Sequence, residues 1–120
     1  MTGSAYKQRR MTQEETEMHA RVVTLVGGDP TRVDEIVAAV RDRFTAGAPE
    51  GLDEMRGFWM LVDRQRAQIL GVSLFDDRAS LQRASKVLDQ LPHPAPDAGG
   101  RPASIDVYEI PVHYERPPSG

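Results

Sequence analysis

The sequence predicts an α+β fold of the ferredoxin-like kind, a four-stranded antiparallel sheet with two helices on one face and the chain order β-α-β-β-α-β. Three observations predict it. β-branched and aliphatic runs occur at residues 19–27, 57–63, 68–75 and 103–115. Apolar residues at helical spacing fill the intervals after the first and third of these runs. The second and third runs are joined by a short polar link that suits only a hairpin.

Each element has a local reason. "HARVVTLVG", residues 19–27, is β-branched and aliphatic and stops at Gly-Gly-Asp-Pro, a turn signal. Asp29 suits a helix N-cap and Pro30 the first helical position, after which Val33, Ile36, Val37, Val40 and Phe44 fall on one side of a helix. "TAGAPEGLDEMR" is a Gly/Pro-containing connection. With Gln65 and Arg66 at the tip of the hairpin, Asp63 pairs with Gln68 and Trp59 lies opposite Val72. Asp76 or Asp77 caps a second helix with the stripe Leu81, Ala84, Leu88 and Leu91, which Pro92 and Pro94 stop. "HPAPDAGGRP" is a loose link, and residues 103–115 form a fourth strand whose Pro111 needs an edge or a bulge. Residues 1–17 read as a flexible leader, 18–115 as the folded domain and 116–120 as a tail.

The hairpin register sorts side chains by parity. Trp59, Leu61, Leu70, Val72 and Leu74 share one face, and Phe58, Met60, Val62, Ile69, Gly71, Ser73 and Phe75 share the other. Both rows are apolar, yet two helices cover only one side of a sheet. Monomers rarely leave such an area to water, so the open face is expected to meet a second copy in a homodimer built sheet to sheet. Met60 and Val62 are expected in that contact, with Gly71 and Ser73 beside Phe58 and Met60.

Composition removes several classes of function. The 120 residues are 39% hydrophobic and 28% charged, with no apolar stretch long enough to span a membrane. No stretch near the first residue has the form of an export signal, so a cytoplasmic location is expected. There is no cysteine, which excludes thiolate nucleophiles, disulfides, iron–sulfur clusters and Cys-type zinc sites. The three histidines, His19, His93 and His113, show no i,i+4 pairing, and no metal is expected. A net charge of −3 argues against nucleic acid as a partner. "QILGVSLF" also lacks the strand aromatics with which RRM-type RNA binders stack bases. "LVGGDP" has neither phosphate-loop spacing, and Asp29 would repel a phosphate at that helix start.

"MRGF" opening the second strand, the tight hairpin, "LGVSLFDD" closing the third strand and "ASL" entering the second helix resemble the antibiotic-biosynthesis-monooxygenase-like family of dimeric α/β barrels. The resemblance covers residues 18–115. Gly57-Phe58 matches the family's turn before the second strand. Phe75, Asp76 and Asp77 stand where a Trp-Glu-Ser sequence is common, with Leu81 as the helix leucine. The resemblance implies a barrel made by paired sheets, a cleft in each protomer, and either cofactor-independent oxygenation or isomerisation of a small aromatic or apolar molecule or a non-catalytic ligand-binding or interaction module. The family's haem-degrading branch needs a helix-two histidine and an asparagine, and this chain has no histidine there and no asparagine at all.

Five residues are candidates for ligand contact. Trp59 is either an interface anchor or a ring stacked on an aromatic substrate. Gly71 and Ser73, small among the large Phe58 and Met60, leave a void for a ligand or room for the partner. Tyr108 offers a hydroxyl on the fourth strand. The site expected from these is Phe58, Trp59, Met60, Ser73 and Tyr108, for a small apolar or aromatic ligand. No cofactor is expected, and no catalytic residue is assigned.

Overall fold

A computed structural model describes residues 17–118. Nearly all of the expected leader, and the last two residues of the tail, lie outside them. The strands are β1 (His19–Gly28), β2 (Met55–Asp63), β3 (Gln68–Phe75) and β4 (Gly99–Glu109), and the helices are α1 (Val33–Arg43) and α2 (Arg78–Leu88). The sheet order is β2-β3-β1-β4, with every neighbouring pair antiparallel. This α+β arrangement is compatible with a ferredoxin-like fold. No helix among the described residues is long and apolar enough to cross a membrane.

Turn and cap chemistry set the element ends. The Asp29 carboxylate accepts from the Thr31 N–H at 2.9 Å and from its hydroxyl at 2.7 Å. Pro30 opens a single 3-10 turn, Pro30–Arg32, before α1 begins. At the hairpin, Asp63 pairs with Gln68 and Trp59 with Val72, the register that the polar link predicts. The Asp63 carboxylate accepts from the N–H groups of Gln65 and Arg66 at 3.1 and 3.3 Å, folding the turn back on itself. Asp77 caps α2, its carboxylate accepting from the Ser80 N–H and hydroxyl, each at 2.8 Å.

The fourth strand differs from its predicted span. It starts earlier, where Gly99 pairs with Gly28, because Gly99 and Gly100 adopt positive φ angles that other residues rarely take. It also stops earlier. The Ile110 N–H donates to the Met18 carbonyl at 2.8 Å, and Pro111 then has no N–H with which to continue. Residues 111–118, including His113, lie outside the sheet and are exposed.

The helices settle which face is covered, and they choose the row of Phe58, Met60 and Val62. Val33 and Ile36 of α1 bury Ile69 and Ala98, with Leu25, Met60 and Val62 packed around them. Leu81 and Ala84 of α2 bury Phe75 and Leu52, with Met55, Leu88 and Leu91 around them. Met60 and Val62 therefore belong to the core side, which corrects their expected place in a dimer contact. The open face is the row of Trp59, Leu61, Leu70, Val72 and Leu74. Trp59 is 58% exposed and Leu61 47%. Parity groups residues by face, but the side the helices lie on is decided by the path of the connections.

Two stability predictions follow from this packing. Phe75 is fully enclosed, so Phe75→Ala should lower unfolding stability by about 3–5 kcal/mol in urea denaturation. The bonds from Ser80 hold the Asp77 carboxyl below the ordinary aspartate range. In the unfolded chain that group titrates near about 3.9, so its contribution is complete above that pH and is lost as pH falls through the lower folded value. Asp77→Ala should cost about 1 kcal/mol at neutral pH, and the difference from the parent protein should shrink below about pH 4.

Candidate functional site

The two small cores do not merge. α1 and α2 have little direct contact, and between their clusters a cavity of about 310 Å³ opens over the central strands. Ile36 and Val40 of α1 wall one side, and Leu52, Leu88 and Leu91 wall the other. Val23, Met60 and Ser73 lie on the sheet below, and Pro102 and Ile105 of β4 close part of the rim. The volume falls at the lower end of that typical for small-molecule sites, and the lining is mainly aliphatic and aromatic.

Phe58 owes its position to a glycine. A methyl group at Gly71 would sit 3.4 Å from two ring carbons of Phe58, so the ring occupies the space a side chain there would need. From that place Phe58 stacks on Phe44, with centroids 4.7 Å apart and planes 20° from parallel. The pair divides the cavity from an outer groove alongside β2, which both rings also line. Gly71 and Ser73, paired in the sequence as small residues, thus have different effects. Gly71 makes room for Phe58, whereas Ser73 leaves space open.

Polar groups enter this apolar space from three elements. Arg21 on β1 is 5% exposed and lies directly across from Ser73 on β3. Its Nη2 donates to the Asp89 carboxylate at 2.5 Å, just past the end of α2, and Asp89 is itself 60% exposed. Ser73 is 4% exposed and lines the cavity, and its hydroxyl makes no hydrogen bond among the described residues. Arg43, at the end of α1, donates to the Pro92 carbonyl, and partial burial pushes its guanidinium pKa down.

His93 sits in the Pro-rich link that follows α2. The Ala95 N–H donates to its Nδ1 at 2.9 Å, so the neutral ring carries its proton on Nε2. That Nε2 is buried with no hydrogen-bond partner among the described residues and faces the bare backbone of Gly100. His19, at the start of β1, is buried and donates from Nδ1 to the Glu17 carbonyl at 2.7 Å. No group of three or more His, Asp or Glu side chains among the described residues could hold a metal ion.

Of the five residues expected at a ligand site, the structure brings Phe58, Met60 and Ser73 to this cavity. Trp59 and Tyr108 are not with them. Their positions in the register put both on the opposite, open face, where Tyr108 is 55% exposed. Arg21, Arg43, Asp89 and His93 escaped the sequence reading. A signal for Arg21 was present, since it is the one charged residue in "HARVVTLVG" and shares parity with Val23 and Leu25. Asp89 and His93 belong to the site only through the path of the link after α2, which no spacing rule foretells.

Compared with known proteins, the chain matches no family model, and no curated protein matches it.

The tight contact at position 71 can be tested directly. Gly71→Val should push Phe58 off Phe44 and narrow the cavity, lowering stability by about 1–3 kcal/mol through overpacking. Urea denaturation measures that cost, and ring-proton chemical shifts of Phe44 report the lost stack.

Proposed function

We propose that the protein binds a small apolar or aromatic molecule in the cavity between sheet and helices, and that it does so as a homodimer. The cavity of about 310 Å³, with Arg21 and Ser73 on its otherwise apolar lining, carries this reading. A void of that size beside buried polar groups is costly to keep empty, since its lining loses packing contacts and hydration alike. A ligand with an apolar body and one polar group restores both.

The chemistry proposed for that ligand is cofactor-independent oxygenation, on the strength of the resemblance to the antibiotic-biosynthesis-monooxygenase-like family. In such a reaction an electron-rich substrate supplies all the electrons. For an anthrone the methylene carbon becomes a carbonyl carrying one atom of O2, and its two hydrogens leave with the other atom as water. The protein needs only a shaped cavity and donors for the anion formed on the way. A second reading is a binding module without turnover. It is favoured by the ionisable groups of the lining, where Arg21 pairs with Asp89 and no acid–base pair suited to proton transfer is linked by a hydrogen bond among the described residues.

Oxygen uptake separates the two. With 1,8-dihydroxyanthrone in air, uptake that saturates with substrate and is abolished by the cavity-filling Ser73→Phe supports oxygenation. Saturable quenching of ligand fluorescence without uptake supports the binding module, and no binding at all removes both.

The dimer is proposed through the open row of Trp59, Leu61, Leu70, Val72 and Leu74. Each large side chain of that row buried against a partner contributes about 1.5–3 kcal/mol before the cost of association. Sedimentation should give about twice the monomer mass at micromolar concentration. Leu61→Asp should return it to the monomer mass with the fold intact, because Leu61 is half-exposed in the single chain. A monomer in the parent protein removes the proposal.

A further inference from the structure

Arg21 is an unusual occupant of a cavity wall. It projects from the first part of an apolar strand, is 5% exposed, and uses one nitrogen to bind Asp89. A guanidinium carries five N–H donors. Those on Nε and Nη1 have no hydrogen-bond partner among the described residues, although the side chain lines the cavity. Those donors are not sealed in the protein, so they are available to an acceptor that enters the cavity.

Charge points the same way. The ionised side chains of the lining are Arg21, Arg43 and Asp89. Two cations face one anion, and that anion lies largely in water, where its field is screened. Arg21, by contrast, has only 6% of its side chain open to solvent. The Ser73 hydroxyl across from it adds a neutral donor.

We infer that the cavity selects an amphipathic monoanion, an apolar or aromatic body carrying a single carboxylate, with Arg21 as the counter-charge and Ser73 as a supporting donor. This rests on the reading of the cavity as a ligand site. A carboxylate suits the open side of the guanidinium because its two oxygens match two adjacent N–H groups. A second anionic group has no cation in the lining that is both buried and free, since Arg43 is engaged with Pro92. Asp89 then tunes affinity, competing for Arg21 from the solvent side.

The test compares 2-naphthoate with its neutral isostere 2-naphthamide, by ligand-observed NMR or calorimetry on the full chain. The expected result is naphthoate bound at least about tenfold tighter than the amide. Arg21→Met should bring the two within about threefold, chiefly by weakening naphthoate. Asp89→Asn should tighten naphthoate by about threefold or more and leave the amide unchanged. If Arg21→Met fails to fold, the Asp89→Asn result decides, and unchanged naphthoate affinity overturns the inference. Equal binding of the two ligands to the parent protein also overturns it while leaving the cavity as an apolar site. Binding of neither at millimolar concentration removes the cavity reading and this inference together.

Discussion

Two helices that lie on one sheet with little direct contact between them create the two cores and the cavity of this molecule. Each helix builds its own small core, Val33 and Ile36 over Ile69 on one side, and Leu81 and Ala84 over Phe75 on the other. A merged core would be denser and more stabilising, since packing gaps forfeit dispersion contacts. The connection between α1 and β2 is tied to the second core, with its own Leu52 buried in the cluster of Phe75, Leu81 and Ala84. Outside, the Arg83 guanidinium grips the Glu54 carboxylate at 2.8 and 2.6 Å. Those charges are in water and contribute little energy, but they fix where the connection lies on α2.

The polar content of the gap follows from the same geometry. A strand buried on its helix-facing side has no room for a charge unless something leaves space above it. Arg21 is tolerated because the helices part there and Asp89 reaches its guanidinium from the rim. Ser73 is tolerated for the same reason. In a merged core the pair would have to be replaced by aliphatic side chains, for buried ions without full compensation are destabilising.

Much of the fold was legible in local chemistry. The hairpin register and the apolar stripes of both helices depend on a few neighbouring residues and are legible; of Asp76 and Asp77 the structure takes Asp77 as the cap, and Asp29 caps the 3-10 turn before α1 rather than α1 itself. The fourth strand was misplaced because its start depends on a distant pairing, Gly28 with Gly99, and its end on a bond to Met18. The site was half legible. Alternation showed that Phe58, Met60 and Ser73 belong together, and it equally showed that Trp59 does not join them. It was silent on which row the helices take. A clue lay in the ends of the rows, since the Trp59 row finishes in the polar pair Asp63 and Gln68, as a water-facing row does.

The exchange of space between Gly71 and Phe58 has an evolutionary consequence. The two positions lie on neighbouring strands, and the bulk that one lacks the other supplies. A branched residue at 71 together with a small one at 58 would conserve the packed volume while moving the wall sideways by about one strand spacing, 4.8 Å. Such paired changes leave both helices and the hairpin as they are. They would give descendants of this sequence a way to reshape the chamber for broader or narrower molecules at the cost of the Phe44–Phe58 stack, and the two positions would then vary together.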